Sequence, residues 1–216
     1  MERLICLGIG YVLGLIQTGY IYGKMKGIDI RQYGSGNAGS TNVLRTMGIK
    51  AGLITFLGDS LKCVAAVLIA RGIFGMRCPD MLPLLSMYAG FGAVLGHNYP
   101  FYLKFKGGKG IAVTAGMILM TDWKLAALCL LVFITIVAIC RYVSLGSMVI
   151  SVIFLAGLVV EGQLGWFGVS QNYLFEMYAI GLLFTASAFF KHRANIKRLQ
   201  SGTENKIKFS KKGDMK

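Results

Sequence analysis

Seven apolar stretches, at 4–22, 51–70, 82–95, 111–120, 125–140, 144–160 and 173–190, alternate with short segments where glycine, serine, asparagine and basic residues collect. Runs of this kind approach the roughly 20 residues needed to cross hydrocarbon. The pattern therefore predicts an all-α integral membrane protein with about seven transmembrane helices. The stretch at 111–120 is short for a full span, so a tilted or partly re-entrant helix is expected there. The stretch at 4–22 follows Arg3 as a signal peptide would, but no small-x-small cleavage site ends it, and it reads as the first span. No repeat or low-complexity tract interrupts the chain, which is expected to be a single transmembrane domain over 1–216 with a basic tail at about 200–216.

Composition agrees with this reading. Of the 216 residues 55% are hydrophobic and only 15% charged, against about 25% charged in soluble domains. The net charge of +14 is unevenly placed. With seven spans and the N-terminus outside, the inside segments 23–50, 96–110, 141 and 191–216 together carry +15, while the outside segments cancel to 0. This is the positive-inside distribution. It puts the C-terminus in the cytoplasm, accounts for the basic excess, and leaves no charge pattern that calls for nucleic acid. Five scattered cysteines without a C-x-x-C pair support neither a disulfide framework nor a zinc site, and no metal or cofactor is called for.

Three segments on the cytoplasmic side carry more polar chemistry than orientation requires. In the first, Gly34 to Gly39 matches G-x-G-x-x-G, but a dinucleotide fingerprint needs a preceding strand and none is expected here. What remains is backbone that approaches an anion closely at Gly36 and its neighbours, neutral donors at Ser35, Asn37, Thr41 and Asn42, and the planar fork of Arg45, with a following helix N-terminus in support. In the second, Lys106 and Lys109 flank Gly107 and Gly108, with His97 upstream. Leu103 and Gly110 stand where a Walker A loop needs glycine and a hydroxyl, which excludes ATP hydrolysis by that motif. In the third, His192, Asn195 and Leu199 share one face of a helix continuing from the last span. Each segment alone is also explained by topology: a flexible loop, a charged turn, a stop-transfer cluster. Asp59 and Lys62, one turn apart in the second span, read as an ion pair or as an anchor for a cytoplasmic lysine.

Taken together, five ordered blocks resemble the bacterial acyl-phosphate:glycerol-3-phosphate acyltransferases, the PlsY family. They are GSGNAGSTNVLR at 34–45, DSLK at 59–62, GHNYP with FKGGKG at 96–110, RYVSLGS at 141–147 and HRANIKRLQSGTE at 192–204. Cys63 stands where the family pattern leads one to expect glycine. The resemblance implies transfer of a fatty acyl group from acyl phosphate to the 1-hydroxyl of sn-glycerol 3-phosphate, giving lysophosphatidic acid and inorganic phosphate. It implies a site at the cytoplasmic face of the bacterial inner membrane, with Ser35, Arg45, Lys109, Ser147, His192 and Asn195 in it and Lys106 and His97 close by.

The residues add a constraint on mechanism. No H-x-x-x-x-D occurs, because the windows from His97 and His192 end at Tyr102 and Lys197. An acyl phosphate is already activated and its leaving phosphate accepts a proton, so a substrate-assisted reaction without an acyl-enzyme is expected. The competing reading is a transporter or flippase for a phosphorylated lipid or metabolite, which would place polar residues near the midplane in broken helices.

Overall fold

The computed structural model describes residues 1–207. Ten α-helices and three short 3-10 turns are present among them, with no strand. The basic stretch 208–216, expected to be a surface tail, lies outside the described residues. Each apolar stretch became a helix. The stretch at 51–70 is α4 (Ile49–Phe74), 82–95 is α5 (Leu82–Asn98), 111–120 is α6 (Ile111–Thr121), 125–140 is α7 (Trp123–Cys140), 144–160 is α8 (Val143–Gln163) and 173–190 is α9 (Gln171–Lys191).

The first stretch departs from the expected single helix. It is α1 (Glu2–Gly14) followed by α2 (Thr18–Met25), with Gln17 out of helical geometry at φ −96° and ψ 85°. A break inside an apolar layer frees carbonyls that must find other donors. They do: Gln17 Nε2 donates to Gly14 O at 3.3 Å, Tyr102 Oη to Leu15 O at 2.6 Å and Lys62 Nζ to Ile16 O at 2.5 Å.

By length and composition five helical stretches are long and apolar enough to cross a membrane: Glu2–Met25, Ile49–Phe74, Trp123–Cys140, Val143–Gln163 and Gln171–Lys191. The 17 residues of α5 rise about 25 Å, nearly a full hydrocarbon thickness. The 11 residues of α6 rise only about 16 Å, the shortness read from the sequence.

Small residues set the tightest packing. α1 lies along α5 through Gly10 and Gly14 on one side and Gly92 and Gly96 on the other. A Cβ at Gly10 would meet Ala89 O, and one at Gly96 would meet Tyr11 O, so the two backbones touch as in small-xxx-small membrane pairs. α4 packs on α1, α2, α5 and α6; α7 packs on α8, α8 on α9, and α9 on α5. The short α6 therefore stands between α4 and α7, and above its N-terminus the bundle opens.

Two further helices border that opening. α3 (Ser40–Met47) packs on α4 and buries Val43 against Ile30, Ala38 and Ala51. α10 (Arg193–Gln200) follows α9 after an interruption at His192, so the helix expected to continue from the last span is broken there. The residues after α10 are not a loose tail either. Glu204 and Ile207 are buried, and Ile207 N donates to Arg141 O at 2.9 Å, folding the segment back over the opening.

Candidate active site

The opening is a cavity of about 370 Å³ walled by residues from all three segments. Ser35, Asn37, Thr41, Asn42 and Arg45 come from the α3 region, His97 from α5, Lys109 from the turn before α6, Ser147 from α8, and His192 and Asn195 from the α9–α10 junction. Four expected residues do not line it: Gly36, Lys106, Gly107 and Gly108. Lys106 is exposed to solvent.

The first loop is built around Asn42. Its Oδ1 accepts from Ser35 N at 2.8 Å, and its Nδ2 donates to Ile30 O, Tyr33 O and Asn37 O at 3.2, 2.9 and 2.9 Å. The amide expected to meet substrate is thus taken up in shaping the loop. Gly34 and Gly36 have φ of 59° and 71°, a region that disfavours any side chain, and Gly39 begins α3. The loop accordingly presents Ser35 and the first backbone N–H groups of α3 to the cavity.

Two cations face the cavity without a paired carboxylate among the described residues. Arg45 Nη2 donates to Asn205 O at 3.0 Å, and its buried Nε has no partner among the described residues. Lys109 Nζ donates to Asn195 Oδ1. Burial brings the Lys109 ammonium down to about 8; Glu204 opposes this, and Arg198 and Arg45 reinforce it. A phosphate entering here would restore the missing negative charge.

Of the two acidic residues lining the cavity, Asp59 and Glu204, the second was not singled out from sequence. Glu204 accepts from Ser144 Oγ at 2.9 Å, Asn195 Nδ2 at 2.7 Å and Arg198 Nε at 2.8 Å. Burial would raise its carboxyl, but these three donors outweigh it and hold the group below the usual carboxylate range. So Glu204 is a fixed anion that orients Asn195 toward Lys109. An acidic residue isolated in a basic stretch was the available signal.

His192 is held differently. Its Nδ1 lies 2.7 Å from Ala188 O, an acceptor only, so Nδ1 carries the hydrogen and Nε2 keeps its lone pair. Burial, and then the Lys109 charge, push the imidazole down to about 4. It is neutral at physiological pH. Ser147 donates to Val143 O at 2.8 Å, leaving its oxygen able to accept. The opposite end of the cavity is apolar, with Leu53 and Phe56 of α4 facing Phe133 and Val137 of α7.

A family model for glycerol-3-phosphate acyltransferase matches residues 4–202. The chain belongs to the glycerol-3-phosphate acyltransferase family. A glycerol-3-phosphate acyltransferase of Clostridioides difficile (strain 630) is 48% identical over 204 residues, covering 92% of each chain. One of Thermoanaerobacter sp. (strain X514) is 42% identical over 200 residues, again covering 92% of each. Among solved structures, PlsY (YgiH), an integral membrane glycerol 3-phosphate acyltransferase, matches in its glycerol 3-phosphate form with a TM-score of 0.80 and 36% identity, over 96% of both chains. Its lysophosphatidic acid form matches with a TM-score of 0.80 and 33% identity, also over 96% of both. In the acyltransferase described here the polar wall, the two cations and the apolar end form one continuous cavity, as an amphiphilic product would require.

Proposed function

We propose that this acyltransferase moves a fatty acyl group from acyl phosphate to the 1-hydroxyl of sn-glycerol 3-phosphate, giving lysophosphatidic acid and inorganic phosphate. The observation that carries this is the union of two cations, Arg45 and Lys109, with an apolar channel between α4 and α7 in a single cavity. The cations suit phosphate oxygens. The channel suits the acyl chain, which enters from the bilayer. In the bond exchange the glycerol oxygen attacks the acyl carbon, the carbon–oxygen bond to phosphate breaks, and the hydroxyl proton goes to the leaving phosphate.

Burial and the Lys109 charge hold the His192 imidazole below its ordinary value, which makes it a poor base, and the leaving phosphate offers basic oxygens of its own for the proton. His192 Nε2 is left to accept a hydrogen bond from the hydroxyl. Glu204 already holds three donors. Ser35 has no imidazole or carboxylate hydrogen-bonded to it among the described residues, so it acts as a donor and positioner in a reaction without an acyl-enzyme.

The chain works as one transmembrane domain with seven spans, N-terminus outside, and its site at the cytoplasmic face of the bacterial inner membrane. This reading rests on the charge placement and on α5 and α6 completing the five longer stretches. The test is purified protein with glycerol 3-phosphate and palmitoyl phosphate, scored for lysophosphatidate, with acyl-CoA and acyl carrier protein thioester as competing donors. Equal turnover of a thioester would overturn the donor assignment. A stoichiometric acyl adduct, formed without acceptor and chased by glycerol 3-phosphate, would overturn the direct transfer.

A further inference from the structure

Below the cavity, where it does not line the wall, Lys62 carries a buried ammonium with three acceptors for its three hydrogens. These are Asp59 Oδ1 at 2.8 Å, His97 Nδ1 at 2.8 Å and Ile16 O at 2.5 Å. Asp59 Oδ1 also accepts from Thr18 Oγ1 at 3.0 Å. An ammonium donating to Nδ1 leaves the His97 ring neutral, with its hydrogen on Nε2. Burying a lysine and a carboxylate is costly, and apolar residues of similar volume often serve stability as well or better. The arrangement does fix one thing that apolar contacts hold loosely, the orientation of the His97 ring.

That ring reaches the turn carrying Lys109. A Cβ on Gly108 would fall on His97 Nε2, so the tip of the imidazole abuts Gly108 directly. The backbone of α5 holds the same turn: Gly108 N donates to His97 O at 3.1 Å and Gly107 N to Asn98 O at 3.3 Å. The residue that follows is Lys109, pointing at Asn195 across the cavity.

We propose that Asp59, Lys62 and His97 are positioning residues for Lys109: Lys62 fixes the His97 ring, the ring props Gly108, and the turn delivers the Lys109 ammonium to a substrate phosphate. This rests on the acyl-transfer reading of the cavity. Displacing the ammonium weakens its charge-assisted bond to the substrate phosphate, so a rigid prop beneath a glycine turn has a consequence for substrate binding.

Three variants test it. His97→Asn keeps an acceptor for Lys62, because its Oδ1 falls near the Nδ1 position, but withdraws the ring tip from Gly108. It is expected to raise KM for glycerol 3-phosphate or for the acyl phosphate by about tenfold, the loss of one charge-assisted contact, with a smaller change in kcat and an unfolding temperature in detergent near wild type. Gly108→Ala, whose methyl meets the ring, is expected to show the same KM defect. The double variant H97N/G108A is expected to recover, since the methyl fills the vacated space. Measuring both KM values separately identifies the phosphate that Lys109 holds. Unchanged KM values in H97N, or a G108A defect that H97N does not relieve, would overturn the proposal. Should H97N not fold, D59N/K62M, which leaves no buried charge unpaired, gives the same reading: raised KM supports the proposal and wild-type KM overturns it. Failure of both to fold would assign the triad to folding alone. Absence of any transfer by the wild-type protein is a separate result, which refutes the acyl-transfer reading instead.

Discussion

Lys109 sits where burial and neighbouring cations act against Glu204, and the balance sets a pH limit. Its folded-state pKa, about 8, lies below the ordinary lysine value of 10.5, so the cation is present below pH 8 and lost as pH rises through it. If the cation binds phosphate, kcat/KM falls about tenfold per unit above pH 8. Lys109→Arg, charged throughout, is expected to remove that limb from whatever activity remains; a limb that persists unchanged would assign it to another group. Lys109→Ala and Arg45→Ala are each expected to lose at least about tenfold in kcat/KM, as a charge-assisted bond contributes about 1.5–3 kcal/mol. Lys197→Ala, exposed on α10, is expected to be nearly silent. Equal losses at all three would indicate general charge and no site. That Ser35, Arg45, Lys109, Ser147, His192 and Asn195 share one site was an expectation from the family resemblance, since small polar and basic residues in an apolar chain mark the segments but each segment alone also reads as topology; all six line the cavity. Glu204 was not singled out: its isolation in a basic stretch was the only local sign, and its bond to Ser144 joins residues 60 apart.

Among the elements, the broken first span and the α1–α5 contact carry the distinctive costs. Gln17 is 1% exposed and donates toward Gly14 O, Gly96 O and His97 O. Gln17→Leu leaves buried carbonyls unpaired and is expected to destabilise by about 1–3 kcal/mol, read by thermal unfolding in detergent. Tyr102→Phe, which removes the donor to the single carbonyl of Leu15, is expected to cost less. In the same assay Gly8→Ala should be tolerated, as nothing lies within 4 Å of its Cβ position, whereas Gly10→Ala drives a methyl into Ala89 O. Equal effects of these two would contradict the close helix contact. The helices were legible because hydropathy marks each one. The break was not: Leu15 and Ile16 continue the apolar run, and the groups that satisfy the break, Lys62 and Tyr102, come from α4 and the α5–α6 turn.

For the whole molecule, the +15 against 0 charge division predicts that Ser40, Lys106 and Gln200 share one side of the membrane and that Met76 lies on the other. Single cysteines in a Cys-free background are expected to react with impermeant reagents in intact cells at Met76 only. Labelling at Lys106 from outside would break the shared-face arrangement. The assembly of the cavity also has a consequence in time. Ser35 is made early in synthesis, just after the first span, yet the anion that orients Asn195 toward Lys109 is Glu204, added some 170 residues later. No partial product of translation holds a finished site, however many spans it has inserted. Chains arrested before residue 204 are expected to sit in the membrane as inert bundles, so a ribosome stalled late in the message releases no premature acylating activity into the bilayer.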